Sequence, residues 1–163
     1  FDKFKLYIIL AFTLFYLFII ISITWLIFSN ALNEYKLNYL FIITVCISSD
    51  VGGYIFGKIF KGKKITKISP NKTYSGMIGS YILSLFISLI IFRNHFNYSE
   101  IIMFTLILST ISQFGDLFIS LLKRKANLKD TGKLLPGHGG LLDRLDGIIF
   151  ALPLGLILTR ILW

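Results

Sequence analysis

The sequence predicts an all-α, polytopic membrane helix bundle with about five transmembrane helices, and three observations predict it. Hydrophobic residues make up 55% of the 163 residues, aromatic residues 16%, and the mean hydropathy is +0.77. A soluble domain of this length has no need of so much Ile, Leu and Phe, so the expected solvent is a bilayer. The apolar residues gather into runs near the roughly 20 residues that a ~30 Å hydrocarbon core requires. Those runs are continuous rather than alternating, which argues against a transmembrane barrel.

The expected spans run over about 7–28, 38–60, 75–92, 100–122 and 145–162. The first, Tyr7 to Phe28, lacks the small-residue cleavage site of a signal peptide and reads as a helix that stays. Because the chain opens on Phe1 rather than methionine, a trimmed or partial sequence is expected. The second span holds Asp50, the third follows "SPNKTYSG", and the fourth holds Asp116. The fifth follows "KDTGKLLPGHGGLLDRLDG", residues 129–147, the most polar segment of the chain. No internal repeat is evident, and a single integral-membrane domain over 1–163 is expected. The single cysteine, Cys46, lies in an apolar run, which excludes an intrachain disulfide or a CxxC metal site and fits a small buried hydrophobe.

Basic charge alternates sharply between the connections. Lys3 and Lys5 precede the first span. Lys58, Lys61, Lys63, Lys64, Lys67 and Lys72 surround the second-to-third connection, and Lys123, Arg124, Lys125, Lys129, Lys133 and Arg144 the fourth-to-fifth. Only Lys36, Arg93 and Arg160 remain for the other side. The positive-inside rule places the amino terminus and both lysine-rich connections in the cytoplasm. A topology signal with attraction to anionic lipid head groups accounts for much of the net charge of +9, and no nucleic-acid partner is expected.

Two carboxylates fall where the membrane should exclude them. An aspartate at the centre of a spanning helix costs roughly 2.5 to 3.5 kcal/mol on insertion scales, so it faces a polar cavity, a partner or an ion. Ser112, Asp116 and Ser120 recur every four residues on one helix, and Asp50, Tyr54 and Gly57 share a face of another. Both faces are expected to point toward a common interior, with simple pairing to a nearby lysine as the plainer alternative for each aspartate. Gly52, Gly53 and Gly57 serve either close helix packing or backbone approach to a ligand.

The segment 129–147 completes the set. Asp143 and Asp146, three apart at the start of the fifth helix, share one face and could hold a hard cation. The plainer alternative is two solvated charges at the positive end of a helix dipole. Gly137, Gly139 and Gly140 permit backbone conformations that turn amide hydrogens toward an anion, and the lysines and Arg144 supply phosphate-binding charge. His138 alone is more often structural than catalytic. Together these residues read as a metal and phosphate site at the cytoplasmic surface.

The run "SLLKRKANLKDTGKLLPGHGGLLDRLD", Ser120 to Asp146, resembles the carboxyl-terminal signature of the CDP-diglyceride synthetase (phosphatidate cytidylyltransferase) family. "DVGGYIFGKIFKGKK" and "SPNKTYSG" resemble two further stretches of that family, so the likeness spans about residues 48–147. Three positions depart from the pattern: Gly53 in place of alanine, Ser75 in place of glutamate, and Asn71 where lysine is common. Family members carry more amino-terminal helices, so a short member or a fragment holding the catalytic carboxyl-terminal part is expected.

What the resemblance implies is a reaction of CTP with phosphatidic acid that gives CDP-diacylglycerol and pyrophosphate, in a bacterial-type cytoplasmic membrane with the active site facing the cytoplasm. It implies Mg²⁺ as cofactor, with a second cation left open, and a homodimer among membrane lipids. By the match to its "GD" and "DRLD" elements, Asp116, Asp143 and Asp146 would be cation ligands. Lys123, Arg124, Lys129 and His138 would bind or polarise phosphates. Asp50, Ser69, Lys72, Thr73, Ser120, Asp130, Gly139, Gly140 and Arg144 would line the nucleotide or lipid-phosphate pocket. Positioning and charge neutralisation would carry such a reaction, with no protein nucleophile.

Three rivals stand beside this reading. "DRLDGIIFA" partly resembles the CDP-alcohol phosphotransferases, but no arginine follows Ala151, and Thr159 stands where an aspartate belongs. A cytidylyltransferase or CTP-dependent kinase acting on another lipid would share the nucleotide half of the site, and a panel of lipid acceptors separates these. A membrane cation transporter would also use intramembrane aspartates, yet the charged residues here cluster toward the cytoplasmic ends of the helices.

Overall fold

The structure, a computed structural model, describes residues 21, 33–66, 69, 72–125 and 142–162. Among these the chain is helical: α1 (Asn33–Phe60), α2 (Tyr74–Phe92), α3 (Tyr98–Lys125) and α4 (Leu142–Leu162). Extended pairing among the described residues is limited to one antiparallel bridge, Lys64 with Thr73. The chain divides into two compact units, Phe1–Asn38 and Tyr39–Trp163, and every contact described below lies within the second.

Three helices carry stretches long and apolar enough to cross a membrane: Lys36–Phe60, Tyr74–Phe92 and Tyr98–Lys125. They coincide with the second, third and fourth expected spans. The fifth is present as α4, whose described apolar stretch, Gly147–Thr159, is shorter. The first expected span, 7–28, lies outside the described residues apart from Ile21, which is helical.

Helix ends differ from the expected bounds by a few residues, for local chemical reasons. α3 starts at Tyr98 because Glu100 reaches back to the preceding residue, accepting from Asn97 N at 3.0 Å and from Asn97 Nδ2 at 3.1 Å. It runs on to Lys125 because Lys123, Arg124 and Lys125 suit the negative end of its dipole. α4 begins at Leu142, which puts the backbone of Asp143 and Asp146 inside its first turns.

Polarity on α2 is inverted relative to a helix of a water-soluble bundle. On α2, Gly76, Ser80, Ser84 and Ser88 recur every fourth residue and are buried. On its other side Ile78, Ile82, Phe86 and Ile90 stand 51–62% exposed. Small residues face in because helices in a bilayer gain by close approach, and large apolar ones face out because lipid solvates them. Several buried hydroxyls bond back to their own helix: Ser88 Oγ donates to Ser84 O at 2.7 Å and Ser48 Oγ to Thr44 O at 2.6 Å.

Close approach is tightest between α1 and α2. A Cβ added at Gly52 would stand 2.5 Å from the Gly79 carbonyl oxygen and 2.9 Å from Leu83 Cβ. α4 packs as closely on α1 and α3, since a Cβ at Gly155 would meet Leu108 Cδ2 at 2.8 Å and Ile42 Cδ1 at 2.9 Å. An edge-to-face aromatic cluster, Phe41 with Phe92 and Phe96 at 5.0 and 5.7 Å between centroids, closes one end of the bundle. The opposite end, where α1 and α3 finish and α2 and α4 begin, carries Lys58, Lys61, Lys63, Lys64, Lys72, Lys123, Arg124 and Lys125.

The Gly52 contact gives a direct check on the packing. Gly52→Val places side-chain atoms against a backbone carbonyl that cannot rotate away, and should lower unfolding stability in detergent by about 1–3 kcal/mol. Val51→Leu, at a position 44% exposed toward lipid, should leave it unchanged. Equal stability of the two variants would contradict this packing.

Candidate functional site

At the basic end the helices part around a cleft of about 510 Å³. α1 contributes Ser49, Asp50, Gly53 and Tyr54 to its wall, α2 contributes Gly76, Met77, Ser80 and Tyr81, and α3 contributes Thr110, Gln113, Phe114, Asp116 and Leu117. Ile65, Lys72 and Thr73 close it from the connection between α1 and α2. Asp50 and Asp116 therefore line one cleft, as the helical spacing predicts.

The α1–α2 connection is folded so that Lys72 reaches the cleft. Lys61 takes a left-handed conformation, φ 43°, which ends α1 and reverses the chain. Ile65 N donates to Lys72 O at 2.9 Å and Tyr74 N to Lys63 O at 3.0 Å, tying the two limbs together. Ser69 O accepts from Lys72 N at 3.1 Å, a short turn immediately before the lysine. Thr73 then caps α2, its Oγ1 accepting from Gly76 N at 3.2 Å. Ser75 locks the corner, its hydroxyl accepting from Gly62 N at 3.2 Å and lying 3.0 Å from Thr73 Oγ1.

This arrangement leaves Lys72 Nζ 3.3 Å from Asp116 Oδ2, with the two side chains 28% and 26% exposed. The contact is an ion pair rather than an aligned hydrogen bond, since the buried ammonium has no hydrogen-bond partner among the described residues. The other carboxylate oxygen, Oδ1, lies toward α4: a Cβ at Gly147 would stand 3.1 Å from it and would also meet Ser112 Oγ. Gly147 is thus required for α4 to bring its first turns against Asp116. Ser112 Oγ is buried there without a hydrogen-bond partner among the described residues.

Chemically, the cleft offers one ammonium and several hydroxyls to an anion, and two carboxylates to a cation. Among the described residues no three His, Cys, Asp or Glu side chains converge as a metal cluster. The side chains of Asp143, Arg144 and Asp146 lie outside those described, as do Lys129, Asp130, His138, Gly139 and Gly140 altogether.

The model of the Cytidylyltransferase family matches residues 3–162. The chain belongs to this family. Curated cytidylyltransferases similar to it include the phosphatidate cytidylyltransferase of Bacillus subtilis (strain 168), 41% identical over 127 residues that cover 75% of this chain and 47% of that protein. That of Rickettsia typhi is 40% identical over 148 residues, covering 85% of this chain and 65% of its own. That of Staphylococcus haemolyticus is 46% identical over 110 residues, 65% of this chain and 42% of its own. The chain spans about half the length of these relatives.

Of the residues expected at a cytidylyltransferase site, the structure brings Asp50, Lys72, Thr73 and Asp116 to one cleft. Ser69 does not line it and instead shapes the turn that presents Lys72. Ser120, Lys123 and Arg124 follow Asp116 along α3 toward the basic end, beyond the cleft-lining residues. Gly52 and Gly57 serve helix packing, since a Cβ added at Gly57 would stand 3.2 Å from Thr73 Oγ1, whereas Gly53 also lines the cleft. Sequence reasoning passed over Ser49, Tyr81, Thr110 and Gln113. Gln113, three residues before Asp116 on the same helix, was the one with a readable signal: an amide inside an apolar span.

The ion pair can be measured as a coupling. Lys72→Met and Asp116→Asn should each destabilise the protein, and the double variant should recover part of the loss, with a coupling energy of about 0.5–3 kcal/mol in a thermodynamic cycle. Strict additivity would show that the two side chains do not interact.

Proposed function

We propose that the protein transfers the cytidylyl group of CTP to phosphatidic acid, giving CDP-diacylglycerol and pyrophosphate, at the basic end of the bundle facing the cytoplasm. The observation that carries this reading is the Lys72–Asp116 pair in a cleft sunk into the membrane-spanning helices. A nucleotide needs the charge; a diacyl lipid needs the depth. Membership of the family and the names of the three relatives support the same reaction.

A phosphate oxygen of the lipid attacks the α-phosphorus of CTP in line. The new P–O bond forms as the bond from the α-phosphorus to the bridging oxygen breaks, and pyrophosphate leaves with that electron pair. No side chain is consumed, so the protein's contribution is alignment and neutralisation of charge. Lys72 is placed to bind a phosphate oxygen when it loosens from Asp116. Thr73, Ser49 and Ser80 add hydroxyls to the wall of the same cleft. Lys123, Arg124, Lys129, Arg144 and His138 belong to the phosphate-binding set in this reading, with Asp50, Ser120, Asp130, Gly139 and Gly140 around the substrates.

The donor set fits Mg²⁺. Asp116 offers a hard carboxylate oxygen on the side where α4 begins, and Asp143 lies one turn before Gly147 on the same helical face. Asp116, Asp143 and Asp146 would hold the ion. Bound there, it would neutralise negative charge on the phosphates during transfer. A homodimer belongs to the same proposal, and light scattering of the protein–detergent complex would count its chains.

The test is incorporation of labelled CTP into chloroform-soluble product by the purified protein with Mg²⁺, offering phosphatidic acid, diacylglycerol and an isoprenoid phosphate in parallel. Label should enter only with phosphatidic acid. Asp143→Asn and Asp116→Asn should each lower the rate by at least about 100-fold. Label transferred to another acceptor alone would overturn the substrate assignment, and full activity in both variants would overturn the cation site.

A further inference from the structure

Below the Lys72–Asp116 pair the cleft continues inward, and its inner wall is more polar than a bilayer-embedded bundle requires. Most hydroxyls here are closed off on their own helices. Thr44 Oγ1 donates to Leu40 O at 2.7 Å and Thr110 Oγ1 to Leu106 O at 2.7 Å. A second group instead links helices. Thr110 has already spent its one hydrogen, so the Tyr81 hydroxyl donates to Thr110 Oγ1 at 2.9 Å and keeps its own oxygen as an acceptor. Ser49 Oγ and Ser109 Oγ lie 2.9 Å apart, and Gln113 Nε2 donates to Ser109 Oγ at 3.3 Å.

That bond uses one of the four hydrogen-bonding capacities of the Gln113 amide. The amide lines the cleft, half-buried, and among the described residues its second N–H and its carbonyl oxygen have no protein partner. Amide groups left unpaired at this depth cost free energy in apolar surroundings, so the position suits a ligand that is polar but uncharged. Among the described residues, the charged side chains lining the cleft are Asp50, Lys72 and Asp116. Gln113 precedes Asp116 by three residues, which places it about 4.5 Å deeper along α3. Met77, Phe114 and Leu117 flank it with apolar surface.

We infer that Gln113, supported by Tyr81, is a specificity-determining residue that binds the glycerol ester carbonyls of the lipid acceptor. This rests on the acceptor being a diacyl lipid phosphate, as proposed above. With the acceptor's phosphate at Lys72, its ester groups fall a few bonds further in, and its acyl chains follow the apolar flank toward lipid. Recognition at this level separates a diacylglycerol phosphate from lipid phosphates that carry no esters.

The test compares ester-linked with ether-linked phosphatidic acid, which keeps the phosphate, glycerol and chains and removes only the carbonyl oxygens. Binding of each lipid to the purified protein is measured by native mass spectrometry, beside CTP turnover. Wild type should bind the diester about five- to tenfold more tightly than the diether. Gln113→Met, which keeps the side-chain length, should reduce that ratio to about one through weaker diester binding, with the KM for CTP and the melting temperature unchanged. Equal binding of the two lipids by wild type, or a preserved ratio in Gln113→Met, would overturn the inference. Because binding is read apart from turnover, diester preference without any CTP incorporation would count against the reaction and leave the role of Gln113 standing.

Discussion

A carboxylate placed in a membrane-spanning helix has to be neutralised, and the way Asp116 meets that demand organises the rest of the bundle. Its counter-charge comes from the α1–α2 connection rather than from a neighbouring helix, so that connection must fold back into the membrane end. The Lys61 reversal, the bridge between Lys64 and Thr73 and the turn at Ser69 are the backbone devices that deliver Lys72 to 3.3 Å from the carboxylate. The cap at Thr73 then fixes where α2 begins relative to the lysine.

The second carboxylate oxygen sets a further constraint. It needs α4 close by, and only a residue without a side chain lets the helix approach Asp116 and Ser112 together, which is the place of Gly147. The same economy recurs at Gly52 against Gly79 and at Gly155 against Leu108 and Ile42. Close contact between backbones substitutes for the hydrophobic effect, which gives little between helices already bathed in lipid tails. The cleft exists where this packing is relaxed, at the basic end of the bundle.

Much of this was legible in the sequence. Continuous apolar runs gave the helices because lipid leaves no other way to satisfy a spanning backbone. Helical spacing alone put Asp50 and Asp116 toward one interior. The pairing of Asp116 with a lysine was also foreseeable, though the partner was not: Lys72 precedes a helix 44 positions away in sequence, and only the folded connection brings it near. Tyr81 and Thr110 carried no signal, because a tyrosine and a threonine in apolar helices look like packing until their hydroxyls are seen to meet. Helix starts shifted by a few residues where side chains capped them, as Glu100 does for α3. The glycine-rich segment preceding α4 was legible as a phosphate site from its glycines and basic residues, with the family resemblance beside them, and its residues lie outside those described.

Asp116 is the ion-pair partner of Lys72 and, in the proposed reaction, also takes part in the phosphate chemistry. Exchanging the two charges separates these duties. The melting temperature and the rate of CTP incorporation into lipid would be measured for Lys72→Asp, for Asp116→Lys and for the two combined. The account predicts that each single variant melts lower, that the exchanged pair recovers most of the loss, and that the exchanged protein still transfers no cytidylyl group, because the carboxylate no longer faces the start of α4. Recovery of activity together with stability would show that Asp116 serves only as the partner of a lysine.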